Sequence, residues 1–296
     1  MATKAPTRSR ARSRPGRKRI PVMTVVIVAG IAAALGLGGM ALMRSGPSPS
    51  SGSQTQGRSS PRPDSDAAAK SAYEVVNTSP HDPGAYLQGL LWHDGGFYES
   101  TGLYGESTLR RVEFPSGRVV KSLSLAPALF GEGLALVDNR LIQLTWKSQR
   151  GFVYDRETFK LLREFTYDTE GWGLTYDGAN LIMSDGSSTL TYLNPNTFAP
   201  VKKLPVTLNG RPLDQLNELE YIEGEIWANV WQTDLIVRID TTSGHVNSFL
   251  DMAGLLPRER RDGSEDVLNG IAYDPAKKRI FVSGKLWPQI FEIRLK

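Results

Sequence analysis

An internal repeat constrains this chain more than any other feature. Each unit opens on a small or acidic residue followed by Leu or Ile: Gly89-Leu90, Gly133-Leu134, Gly173-Leu174, Glu218-Leu219 and Gly270-Ile271, at spacings of 44, 40, 45 and 52 residues. Within a unit a short apolar run meets a turn such as Asp94-Gly95 or Asp177-Gly178. A second and a third run follow, as in Leu181-Ile182-Met183 and Leu190-Thr191-Tyr192-Leu193. These runs are too short for helices, rich in β-branched and aromatic residues, and bounded by turn formers, so they read as strands. A unit of about 40 to 50 residues with three or four strands is the pattern of a propeller blade.

Four units carry a fourth strand, at 119–125, 161–167, 201–206 and 245–250, whereas the fifth ends at Lys296 without one. Residues 73–76 (Tyr73-Glu74-Val75-Val76) precede the first unit and belong to none, so they can supply the missing outer strand and pair an otherwise bare edge. The expected fold is all-β: a five-bladed β-propeller over residues 72–296, its ring closed by an N-terminal strand. A β-sandwich explains neither the repeated opening nor the unmatched strand.

The net charge of +4 is a property of the N-terminus, because residues 1–44 hold nine Lys or Arg and no acid, and the remainder has 26 bases against 31 acids. No basic stretch interleaved with aromatics follows residue 44, which argues against nucleic-acid binding. Eight bases between Lys4 and Arg19 precede the uncharged segment 20–43. Its length corresponds to about 36 Å of helix, enough for a roughly 30 Å hydrocarbon core. The expectation is a basic cytoplasmic tail (1–19), a single transmembrane anchor (20–43) and a flexible Ser/Gly/Pro linker (44–71), with the propeller periplasmic or extracellular by the positive-inside rule. The chain has no cysteine and three histidines, His81, His93 and His245. That removes disulfides, a thiol nucleophile and a Cys- or His-rich metal centre, so no cofactor and no metal are expected.

In a propeller the loop entering each innermost strand and the loop leaving each second strand open on one face. Immediately before the repeat openings stand Gln88, Glu132, Trp172, Asn217 and Asn269; near the ends of the second strands stand Glu99, Trp146, Asp185, Trp231 and Lys285. Singly these are ordinary: Asn and Gln cap turns, Trp fills gaps between blades and Asp185-Gly186 is turn chemistry. Jointly they give large apolar walls with few convergent polar groups, which is how small-molecule sites are built.

At these residues the chain resembles a known family. Gln88-Gly89-Leu90, Tyr98-Glu99-Ser100-Thr101-Gly102-Leu103-Tyr104-Gly105, Gly131-Glu132-Gly133-Leu134, Gly171-Trp172-Gly173-Leu174, Leu216-Asn217-Glu218-Leu219-Glu220-Tyr221, Trp227-Ala228-Asn229-Val230-Trp231, Leu268-Asn269-Gly270-Ile271 and Ser283-Gly284-Lys285-Leu286-Trp287 closely resemble the plant and bacterial glutaminyl cyclases (glutamine cyclotransferases). The family usually has Phe-Thr where Tyr86-Leu87 stand here. The resemblance implies a five-bladed propeller that converts the N-terminal glutamine of peptides into pyroglutamate with release of ammonia.

In that reaction the substrate's α-amine attacks its own γ-carbonyl carbon, so no enzyme nucleophile is needed. The enzyme holds the folded-back conformer and moves protons from the ammonium to the departing ammonia. The proton carrier is expected to be Glu99, which ends a strand and lies in the most family-like motif, with Lys285 acting electrostatically. Glu99's alternative role is a paired carboxylate stabilising Lys285 or a blade contact. Trp146, Trp172 and Trp231 are expected as walls, and Gln88, Asn217 and Asn269 as hydrogen-bonding groups. Glu132 is expected at the ammonium, and Glu218, in a slot other blades fill with Gly, as structural. Two rival readings remain: a glycoside-active propeller using Glu99, Glu132 and Asp185, and a non-catalytic binder of peptide termini. A monomer is expected.

Overall fold

The computed structural model describes residues 67–296. From the axis outward, the first blade runs Leu87–His93, Gly96–Thr101, Thr108–Glu113 and Arg118–Ser124. The second runs Gly131–Val137, Arg140–Thr145, Arg150–Asp155 and Leu161–Thr166; the third, with short inner strands, Leu174–Tyr176, Leu181–Met183, Thr189–Leu193 and Pro200–Pro205. The fourth blade comprises Leu216–Ile222, Glu225–Val230, Leu235–Asp240 and Val246–Asp251. Leu268–Asp274, Arg279–Gly284 and Gln289–Leu295 begin the fifth, and Tyr73–Pro80 completes it from the other end of the chain. Each innermost strand packs against those of both neighbours, and the last returns to the first, so the ring is closed.

The closing strand is longer than the sequence suggested. It pairs antiparallel with the last strand from Tyr73↔Leu295 to Pro80↔Gln289, with a bulge between Val75 and Asn77. Ala69–Lys70, within the segment expected as linker, adds a parallel strand to the outer edge of the fourth blade, and Lys70 pairs there with Asp251 at 2.7 Å. The tail at 1–19, the anchor at 20–43 and the linker up to residue 66 lie outside the described residues. Among the described residues no helix is long and apolar enough to cross a membrane.

Both faces of each blade are covered, so the core divides into five clusters, one at each blade–blade interface. Between the fifth and first blades, Trp92 stacks on Phe281 at 5.0 Å while Phe97 meets Phe281 edge-on. The glycines that open the repeat are what let the inner strands converge. A Cβ on Gly133 would stand 2.5 Å from Leu174 N, and one on Gly173 2.0 Å from the Asn217 carbonyl oxygen. The fourth blade puts Glu218 in that slot, and its carboxyl spans the axis, accepting from Leu90 N at 3.1 Å and Ile271 N at 2.8 Å. This is the structural role the sequence suggested for it.

Candidate active site

The innermost strands carry the site because four of them bulge at the mouth. Pairing with the second strand slips between Leu87 and Gly89, Gly131 and Leu134, Leu216 and Leu219, and Leu268 and Ile271. The extra residues are Gln88, Glu132-Gly133, Asn217-Glu218 and Asn269-Gly270. A bulge re-aims a side chain that regular pleating would send into a blade interface. Here it turns Gln88, Glu132 and Asn217 into one pocket of about 170 Å³, which Tyr86, Phe130, Trp146, Trp172, Trp231 and Lys285 complete.

Seven of the nine residues expected at the site therefore meet there. Asn269 stands directly behind it: fully buried, it donates through Nδ2 to Leu87 O at 3.0 Å and Gln88 Oε1 at 3.3 Å. It braces Gln88 rather than lining the pocket.

Glu99 is the correction. The second strands pair Leu87 with Thr101, Gly131 with Thr145, Leu216 with Val230 and Leu268 with Gly284. The residue just beyond that pair is Trp146, Trp231 or Lys285 in three blades, but in the first blade it is Gly102. Glu99 is opposite Leu90, three residues short of the mouth, or about 10 Å along a strand. It is 0% exposed and faces His81 Nε2 at 3.3 Å, while His81 Nδ1–H donates to the Trp287 carbonyl at 2.7 Å. Burial opposes charge on His81, but Glu99 and the Trp287 carbonyl together hold its pKa above the ordinary value. Glu99 is thus the blade contact that was its alternative role, with His81 as its partner.

Glycine at the first blade's mouth position is functional space. A Cβ on Gly102 would stand 2.3 Å from the Phe130 ring; one on Gly186, the corresponding residue of the third blade, would stand 2.7 Å from Trp172. Asp185 caps its own turn through Ser187 N and Oγ at 3.0 and 2.6 Å and is not a wall.

Within the pocket, Gln88 Nε2 donates to Glu132 Oε1 at 2.9 Å. Burial pushes the Glu132 carboxyl well above the usual range; Lys285 pulls it back and Glu170 adds to the rise. Lys285 is 3% exposed, and burial pushes its ammonium below the ordinary lysine value, against the attraction of Glu132 and Asp266. Nζ lies 5.0 Å from the centre of the Tyr86 ring, whose hydroxyl donates to Asp266 at 2.8 Å. Asn217 Oδ1 is a buried acceptor with no partner among the described residues. The arrangement offers a carboxyl of raised proton affinity, a cation and a free acceptor between aromatic walls. That suits transfer of a proton on a small polar group. Tyr86, Phe130, Glu170 and Asp266 were not singled out as site residues from the sequence; the first three each stand two residues before a mouth residue (Gln88, Glu132 and Trp172), a repeat position with no common side-chain type to mark it.

Fold and pocket together define a five-bladed propeller with an aromatic-walled, polar pocket sunk into one mouth of the central axis. A family model described as "Glutamine cyclotransferase" matches residues 50–295. The "Glutaminyl-peptide cyclotransferase" of Arabidopsis thaliana is 44% identical over 227 residues, covering 75% of this chain and 71% of the relative. The crystal structure of Myxococcus xanthus glutaminyl cyclase superposes with a TM-score of 0.73 at 38% identity, over 77% of this chain and 98% of that one. The chain belongs to the glutamine cyclotransferase family.

Proposed function

We propose that this chain converts the N-terminal glutamine of peptides into pyroglutamate with release of ammonia, and that Glu132 moves the proton. The reaction is that of a glutaminyl-peptide cyclotransferase, an acyltransferase. The observation that carries the assignment of Glu132 is its buried carboxyl, held by Gln88 and facing the charge of Lys285 inside an aromatic pocket. The walls hold the glutamine side chain folded back, so that its α-amine reaches the γ-carbonyl carbon. As the C–N bond of the ring forms, Glu132 takes a proton from the attacking amine and returns it to the nitrogen that leaves as ammonia. Lys285 stabilises the oxyanion, and Asn217 Oδ1 accepts from a substrate N–H.

A glycoside-active reading needs an acid and a base flanking the bond. Of its three candidates only Glu132 is a wall, and Glu99 and Asp185 are placed elsewhere. Incubating the domain with a Gln-initiated dipeptide tests the reading: ammonia and a product lighter by one ammonia are expected. A dipeptide recovered intact overturns it, as both rival readings would require.

The localisation proposed is a single-pass membrane anchor at 20–43 with the propeller outside the cytoplasm, supported by the uncharged segment and the bases that precede it. Fractionation should place the full chain in the membrane; recovery in the cytosol would overturn the anchor. One chain supplies every wall of the pocket, so a monomer suffices for the reaction.

A further inference from the structure

The pocket walls include two indoles whose polar edges meet at one carboxylate. Glu170 Oε2 accepts from Trp146 Nε1 at 2.6 Å and from Trp172 Nε1 at 3.0 Å. The two tryptophans come from different blades, Trp146 beyond the second strand of one and Trp172 before the first strand of the next. We propose that Glu170 is a positioning residue of this active site: one carboxylate oxygen sets both indoles so that they form adjoining walls around the glutamine side chain. The proposal rests on the pocket being the glutamine site.

Glu170 is itself held for the task. The next residue, Gly171, donates its N–H to the Trp146 carbonyl at 3.0 Å, and a Cβ there would stand 2.5 Å from the Tyr167 hydroxyl. Trp172 is fixed by its own backbone, N–H to Ser184 O at 3.0 Å and C=O to Gly133 N at 2.7 Å. The backbone thus places both rings near one another, and the remaining freedom, rotation about the side-chain bonds, is what the shared carboxylate removes. A charged acceptor makes each indole hydrogen bond stronger than a neutral one would. Lys147, 3.8 Å from Glu170 Oε1 and 4.1 Å from the Trp146 ring centre, closes the outer side. The same negative charge acts on Glu132, raising the proton affinity of the group assigned to proton transfer.

Two variants separate the clamp from the charge. Glu170→Ala removes both: KM for a Gln-initiated dipeptide should rise about tenfold or more, and acrylamide should quench tryptophan emission more readily even without substrate. Glu170→Gln keeps one oxygen able to accept from the indoles but loses the charge. Its KM should stay within about threefold of wild type, while the limb of the kcat/KM pH profile assigned to Glu132 moves to lower pH. Melting curves identify any variant that fails to fold, and Glu170→Ser, too short to reach both indoles, takes the place of Glu170→Ala if that one does not fold. Unchanged KM and unchanged quenching in folded Glu170→Ala, or in folded Glu170→Ser where Glu170→Ala does not fold, overturn the clamp, and an unshifted limb in folded Glu170→Gln overturns the effect of its charge on Glu132. The quenching measurement needs no substrate, so it stands even if the pocket proves to bind something other than glutamine.

Discussion

Gln88 and Glu132, on the innermost strands of adjacent blades, are joined side chain to side chain at 2.9 Å, with Asn269 of a third blade behind Gln88 at 3.3 Å. The relationship exists because both residues sit in bulges. Pairing with the second strand is lost at those positions, and the side chains turn to the axis. Asn269 Nδ2 fixes Gln88 Oε1 as the acceptor, which leaves Gln88 Nε2 to donate and defines Glu132 Oε1 as the oxygen already engaged.

Glu132→Gln keeps the shape and an oxygen for the Gln88 amide but cannot carry a proton. It should bind a Gln-initiated peptide and lose on the order of 10²-fold or more in kcat, read as ammonia release under saturation. Near-normal turnover by a folded variant would reject the assignment.

Glu99→Gln should do the opposite. The fully buried carboxyl faces His81 across a blade interface, and breaking a buried pair leaves an uncompensated charge, a cost of about 3 to 5 kcal/mol when a partner is removed outright. The expected result is a lowered melting temperature with kcat within about threefold of wild type. A large loss of kcat without loss of stability would return Glu99 to the mechanism.

These two variants mark where sequence reading stops. The blades were legible because turns and apolar runs recur with a period, and Trp146, Trp231 and Lys285 were legible because each directly follows a strand. In the first blade the apparent strand end, Tyr98-Glu99, is not the real one. The strand continues to Thr101 because Leu87 lies opposite, and that register is fixed by a bulge around Gln88 that no local pattern announces. Glu170 shows a different limit. Its motif is visible from Gly171 onward, but its two indole partners, Trp146 and Trp172, come together only when two blades pack.

At the opposite end of the axis, Glu220 accepts from Tyr273 N at 3.0 Å and Thr175 Oγ at 3.3 Å, and burial pushes its pKa from 4.5 up to about 8. Between those values the folded protein keeps a proton that the unfolded chain has lost. Stability from this group is therefore full at low pH, falls as pH rises towards 8, and levels off above. Glu220→Gln removes the ionisation, so its melting temperature should fall less than that of wild type between about pH 5 and pH 8.5. Parallel melting-temperature curves for the two proteins would contradict the assignment.

Ring closure gives the last prediction. Tyr73–Pro80 is the outer strand of the fifth blade, and without it the Gln289–Leu295 strand becomes an unpaired edge. Its loss also removes Tyr73 from the cluster between the fourth and fifth blades, where it packs beside Leu295. The next residue, His81, is seated by its N–H on Pro288 O at 2.9 Å and by its ring on the Trp287 carbonyl at 2.7 Å. Trp287 is two residues from Lys285 and donates its indole N–H to Asp266 O at 2.9 Å, next to the wall of the pocket. A chain beginning at residue 81 should therefore show a lower melting temperature than one beginning at residue 67, and should lose activity at temperatures where the longer chain retains it. Equal melting temperatures and equal activity would mean that the first four blades and the three-stranded remainder hold the ring without the closing strand.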